Sequence, residues 1–375
     1  MRALLIFILI LSLGIFCESN QNKIEKKQEK GTEVILNHFE PYKIKGVPSK
    51  MVLTEDFSID TEKFGEGELV SIGDLDADIE GNLYIYDNKQ KKIAKFDKRG
   101  KFLYSFGRHG QGPGEFQFVT NIQVSPTGEV VATDILNSKV SFFRNDGKLN
   151  REIKLKFRIS NGILLENGNY LFKETKVAEA PKRELEFVLS LYNNEFRKIK
   201  ELDRIKMFNP KEAKIKGTYY YLSYGTSKDR IFTGSQERGY EIYVYNFSGN
   251  LIRKIKKEFK PVSPSEEYKQ EFLKIFGSYE SIKNKLYFPD TLPPFHYFFT
   301  DEEGKLYVMT YERNKNSEFI FDIFTSEGIF IARESLKFSS LTGLIAKFKN
   351  NNLYCVKEKG NGFQRLVAYK ISWKY

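Results

Sequence analysis

Three histidines, two cysteines and a run of alternating aspartates are the residues of this 375-residue chain whose types invite a chemical reading. His38, His109 and His296 lie far apart, in no spacing that would ligate a metal. His109 precedes a glycine-rich stretch and is the histidine that a loop would carry toward a channel mouth. Asp74, Asp76 and Asp78 alternate, so on a strand their carboxylates would project to one face, as donors to calcium do. The run lacks the glycine turn and closing glutamate of a calcium loop, so no cofactor is expected, and calcium is the ion to test. There is no Gly-x-Ser-x-Gly nucleophile motif, and Gly107 to Gly114 lacks the Gly-Lys-Ser/Thr ending and following helix of a phosphate cradle. Cys355 sits in the alternating stretch Asn352-Leu353-Tyr354-Cys355-Val356 and reads as a small buried side chain. Tyr219, Tyr220, Tyr221 and Tyr224 form an aromatic cluster that either packs in a strand or offers flat faces to a sugar or a protein.

The elements that must position these residues come from an internal repeat. Glu80-Gly81-Asn82-Leu83-Tyr84-Ile85-Tyr86-Asp87, followed by Phe96-Asp97 and Gly100, aligns without a gap with Thr127-Gly128-Glu129-Val130-Val131-Ala132-Thr133-Asp134, followed by Phe143 and Gly147. Gly81 to Gly128, Asp87 to Asp134 and Gly100 to Gly147 are each 47 residues apart. Each unit alternates Val/Ile/Tyr-rich runs with Gly, Asp and Asn turns, the pattern of a meander of about four strands. Weaker copies begin near Asn167, Ile231, Glu303 and Asn351, which makes six. A blade of this kind cannot bury both faces alone, so blades must stack into a closed ring. The last copy is short of an outer strand, and Met51 to Ile59 is the segment placed to supply it. The fold class expected is therefore all-β, a six-bladed β-propeller.

One interval breaks the period. Gly249 to Gly328 spans 79 residues, and within it Ser263-Pro264-Ser265-Glu266-Glu267 carries the capping serine, first-turn proline and acids of a helix start. Tyr268, Phe272, Ile275 and Phe276 recur at helical spacing before Gly277. A short helical insertion, about 263–283, is expected between late blades, either packed on the propeller flank or lidding the channel.

Asp76 with Gly81 to Asp87, then Phe96 to Phe102, then Ser105-Phe106-Gly107-Arg108-His109-Gly110-Gln111-Gly112-Pro113-Gly114-Glu115-Phe116, resembles the NHL-repeat-like six-bladed β-propeller lipoproteins of bacteria. The likeness covers roughly residues 65–150 and weakens toward the C-terminus. It implies the propeller fold and little about activity.

The N-terminus agrees with export. Met1 and Arg2 precede an uncharged apolar run, Ala3 to Phe16, which is short for a membrane span and right for a signal-peptide core. Leu13-Gly14-Ile15-Phe16-Cys17 resembles a lipobox, with Phe16 where a small residue is usual. Cys17 is the expected lipidation site and residues 17–32 a tether, leaving 33–375 as the propeller. Cleavage after Ser19 is the alternative, which would leave a soluble periplasmic or secreted protein. The net charge of +11 is spread as interspersed lysine, densest from Arg197 to Lys216. Export removes nucleic acid from the partners. The function expected is a cell-envelope binding or scaffold module that holds an envelope protein, peptide or glycan at a propeller face. The residues expected to bind are His109, Tyr219, Tyr221, Tyr224, Tyr268, Phe272 and Phe276. The enzymatic alternative is a lactonase-like or lyase-like propeller with a channel metal.

Overall fold

A computed structural model describes residues 24–64, 68–177, 185–207, 214–218, 221–276, 283–336, 345–359 and 362–375, without the side chains of Ile275 and Phe276. The second strand of each repeat is buried on both faces. Leu83–Asp87 and Val130–Asp134 show no exposed position, whereas the fourth strand Leu149–Lys154 alternates between half-buried and exposed. A strand covered on both sides must be apolar throughout, and one facing solvent need not be. This is why the second strands carry the legible repeat and the outer strands blur.

Six blades, each built on four antiparallel strands, follow one another in the chain. Blade 1 runs from Ile72 to Phe106, blade 2 from Val119 to Lys154 and blade 3 from Ile159 to Lys206. Blade 4 runs from Leu222 to Lys257, blade 5 from Tyr297 to Ser335, and blade 6 from Ala346 to Lys374 plus an outer strand from the N-terminal region. The apolar interior is divided into wedges between neighbouring blades. Tyr84, Tyr86 and Ile93 of blade 1 meet Ile122, Val130 and Ala132 of blade 2. Val131 and Phe142 then meet Tyr170 and Phe172, and Leu171 and Leu189 meet Leu222 and Ile231. Phe232 and Val244 meet Leu306 and Val308, Tyr307 and Met309 meet Leu353 and Cys355, and Tyr354 and Leu366 close on Leu75 and Leu83. Turn glycines are held to the same tolerance. Gly328 has φ +84°, and a Cβ there would stand 2.5 Å from Ile255 of the preceding blade.

The N-terminal region forms three strands, β1 (Glu25–Glu29), β2 (Thr32–Asn37) and β3 (Lys50–Asp60). β3 pairs antiparallel with Gln364–Lys374 and supplies the outer strand of blade 6, as the short last repeat requires. The β1–β2 hairpin was not anticipated. β2 pairs in parallel with Leu251–Lys257, so blade 4 carries six strands. The tether read as running through residue 32 is thus folded from Glu25 onward. The apolar run Val34-Ile35-Leu36 is too short to separate a strand from a linker, and only the free edge of blade 4 decides it. Charge on the outer edges has the same origin. Lys198 and Lys200 of the basic run stand on the outer strand of blade 3, where exposed lysines discourage strand-to-strand aggregation.

After β2 the chain crosses the outer ends of blades 4 and 5. The Asn37 carboxamide is fully buried, donating to the carbonyls of Lys256 (3.1 Å) and Gly328 (3.0 Å) and accepting from the Phe330 N–H (2.8 Å). One side chain therefore satisfies three backbone groups of two blades. Asn37→Ala strands all three in a dry joint and is expected to cost about 2–4 kcal/mol, read as a lowered urea midpoint with unchanged slope.

Candidate functional site

The first strands of the six blades surround the axis, and between them lies an open cavity of about 920 Å³. Its mouth is formed by the turns joining first to second strands, including Ser125-Pro126, Glu166-Asn167 and Lys228-Asp229. Inward positions on consecutive first strands correspond by the same offset, Asp74 to Asn121 and Asp76 to Gln123. Three of these side chains reach the backbone of the next blade. Asp74 Oδ2 accepts from the Ile122 N–H (2.7 Å) and Asp76 Oδ2 from the Val124 N–H (2.8 Å). Gln123 accepts from the Leu164 N–H (2.6 Å) and donates to its carbonyl (3.2 Å). Asp78 turns to its own loop, accepting from the Glu80 and Asn82 N–H groups. The three aspartates therefore diverge, and among the described residues no group of three or more His, Cys, Asp or Glu is arranged to hold a metal.

At the closing joint Lys347 of blade 6 faces Asp76 and Asp74. Burial pulls its amine toward neutrality, but the two carboxylates raise its pKa above the ordinary lysine value. It has no carboxylate within ion-pair distance, and neither Lys347 nor the Asn121 side chain has a hydrogen-bond partner among the described residues. Asp74 sits just behind the cavity wall, and burial pushes its carboxyl up to about 6, against the pull of Lys347 and the Ile122 N–H.

Of the residues expected to bind, the structure brings one to this cavity. Tyr224 lines it from blade 4. Tyr221 packs instead against the His296 ring, with centroids 4.7 Å apart. His296 is fully buried, and burial lowers its pKa to about 3, which keeps it neutral. His109 is exposed on the connection between blades 1 and 2 and is not among the cavity-lining residues. Tyr219, and the side chain of Phe276, lie outside the described residues, as does Cys17. Tyr268 and Phe272 belong to helix α1 (Glu266–Phe276) and are each only 4% exposed. They pack on Phe288, with Tyr268 also edge-on to Tyr311, while Arg313 binds Glu267 (3.0 Å) and Glu271 (3.1 Å) on the helix's polar side. The expected aromatic patch on this helix is therefore a packing face. The spacing was read correctly, but it marks the side facing the wedge between blades 5 and 6. The remaining candidates are structural. The Glu115 carboxylate accepts from Arg108 (2.7 Å) and the Gly112 N–H (2.9 Å) inside the glycine-rich crossover. A Cβ at Gly107 would come within 2.4 Å of the Phe116 ring. Burial pushes the Cys355 thiol up to about 12, far from a reactive thiolate.

Sequence reasoning named Asp76 and Tyr224 but missed Asn121, Gln123 and Lys347. Carrying the repeat offset onto the first strands would have found Asn121 and Gln123, whereas Lys347 meets the aspartates only through ring closure.

Two outcomes follow from this geometry. Phe272→Ala empties a fully packed aromatic site and is expected to lower stability by about 3–5 kcal/mol in a denaturant titration. Because Asp74 holds its proton more tightly folded than unfolded, its stabilising contribution is complete below about pH 4 and is lost as pH rises through about 6. Asp74→Asn keeps an acceptor for the Ile122 N–H and removes the titration, so its stability relative to wild type should improve by about 2–3 kcal/mol between pH 4 and 7.5. Parallel stability profiles for the two proteins would refute this account of Asp74.

The architecture has solved counterparts. A candidate exported protein of Bacteroides fragilis NCTC 9343 superposes with a TM-score of 0.57 at 16% identity, covering 91% of this chain and 100% of that one. A DUF4221-family member from Bacteroides vulgatus ATCC 8482 superposes with a TM-score of 0.54 at 12% identity, covering 87% and 100%. At such identities the likeness is one of fold. No curated protein matches the chain. Residues 65–333, well over half the sequence, match the family model described as DUF5128, six-bladed beta-propeller, and the chain belongs to that family.

Proposed function

We propose that this chain is an exported, envelope-attached binding propeller that takes its ligand into the axial cavity. The observation carrying this reading is the open cavity of about 920 Å³, to which all six blades contribute lining residues. It falls within the range of about 300–1,000 Å³ typical of ligand sites and combines apolar wall with polar groups and charges of both signs. The helix side, where sequence alone pointed, has its aromatics consumed in packing. A short peptide or a glycan end fits a site of this size and mixed polarity.

The signal-like N-terminus, the lipobox-like Leu13 to Cys17 and the resemblance of the glycine-rich crossover to NHL-type propeller lipoproteins support attachment. No helix among the described residues is long and apolar enough to cross a membrane. With Cys17 acylated, residues 18–24 would form a leash of at most about 24 Å before β1, holding the rim of blade 4 close to the bilayer.

Two experiments test this. Purified protein is melted against a panel of short peptides and oligosaccharides, beside a Thr226→Trp variant that narrows the cavity next to Tyr224. A ligand at about 100 times its Kd should add about 2.7 kcal/mol to wild type and clearly less to Thr226→Trp. A ligand that stabilises both proteins equally places the site elsewhere. Metabolic labelling with palmitate should mark wild type and not Cys17→Ser, and an unlabelled wild type removes the anchor.

A further inference from the structure

The cavity wall has two unlike halves. On their first strands, blades 6, 1 and 2, consecutive around the axis, contribute Lys347, Asp76, Asn121 and Gln123, whereas blades 3, 4 and 5 contribute Ile163, Tyr224 and Phe299; around the mouth the lining carries both signs of charge, Lys228 and Lys349 beside Glu166, Asp229 and Glu302. On the polar half much of the capacity is already used. Both Asp76 oxygens accept backbone N–H groups, from Ala77 (2.9 Å) and Val124 (2.8 Å), and Gln123 is committed to Leu164 at both ends. What this half of the wall still offers is the Lys347 ammonium, with three donors, and the Asn121 carboxamide, which both donates and accepts.

Resting on the cavity as the binding site, we infer that its ligand is a neutral saccharide, hydrogen-bonded by Lys347 and Asn121 and packed against Tyr224 and Phe299. Charge decides against the alternatives. An anion drawn to Lys347 would also approach Asp76 and, behind it, Asp74, the two carboxylates whose field already acts on that amine. A cation would meet the Lys347 ammonium, and each Asp76 oxygen beside it already accepts one N–H group. A zwitterionic peptide end fails for the same reason at its amine. A sugar hydroxyl accepts from an ammonium and exchanges donor and acceptor roles with a carboxamide without adding charge. The C–H face of a pyranose then meets the aromatic half. Such a division between a polar edge and an aromatic face suits a ring that is itself divided in this way.

The test is calorimetric titration of the purified full-length protein with maltotriose, cellotriose, mannotriose and N,N′-diacetylchitobiose. Trigalacturonate, a glucosamine trimer and trialanine serve as anionic, cationic and peptide comparators. At least one neutral sugar should bind, and Lys347→Met and Asn121→Leu should each weaken it by about 10-fold or more, as expected for loss of a hydrogen bond to a bound ligand. Tyr224→Leu should weaken the same sugar, and it provides an independent readout should Lys347→Met not fold. The inference is overturned if no neutral sugar binds at millimolar concentration, if Asn121→Leu and Tyr224→Leu leave its affinity unchanged, or if a charged sugar or trialanine binds more tightly. A tighter comparator that Thr226→Trp abolishes overturns only the saccharide assignment. A ligand indifferent to Thr226→Trp, Lys347→Met, Asn121→Leu and Tyr224→Leu alike overturns the cavity as the site as well.

Discussion

The pairing of β3 with the last strand of the chain is the interaction on which the rest of this molecule depends. It joins Lys50–Asp60 to Gln364–Lys374, segments some 300 residues apart, through a register that runs the length of both strands with one bulge. Bringing such distant segments together carries a loop-closure cost that grows only slowly with separation, while the return is a ring without an open joint. Without it, blade 6 would lack an outer strand, and the wedge of Tyr354 and Leu366 against Leu75 and Leu83 would lose its support. The cavity exists because the ring is closed.

Closure also explains the chemistry of the axis. Each first strand has one edge facing the channel, where its N–H and C=O groups have no strand to pair with. Asp74, Asp76 and Gln123 answer part of that need by bonding the backbone of the next blade. The same joints hold Asp74 in surroundings dry enough to push its carboxyl up to about 6. Polar groups here are first of all structural. Binding capacity is what remains where a position is not spent this way, and Lys347 and Asn121 are the clearest such positions among the described residues.

Aromatic residues divide by the same competition. A Tyr or Phe facing a wedge between blades is consumed by packing, because the wedges are filled to contact distances that leave Gly147 and Gly328 no room for a Cβ. Tyr268 and Phe272 go this way, and the helix that carries them is bolted to Arg313 by two carboxylates. Tyr224 lies on a first strand and reaches the axis while still touching the wedge between blades 3 and 4. Position in the blade, rather than residue type, separates the two outcomes.

The sequence by itself determined the repeat, its turn glycines, the number of blades, the helical insertion and the strand that closes the ring. Each of these is encoded locally, by alternation, by turn chemistry or by a count of segments. It could not show that Val34 to Leu36 would pair with blade 4, that the helix would turn its aromatics inward, or that Lys347 would stand beside Asp74 and Asp76. Those facts depend on which surfaces meet after the ring closes. Residues more than 270 positions apart come within electrostatic reach of each other through no local pattern, and only the tertiary structure decides them.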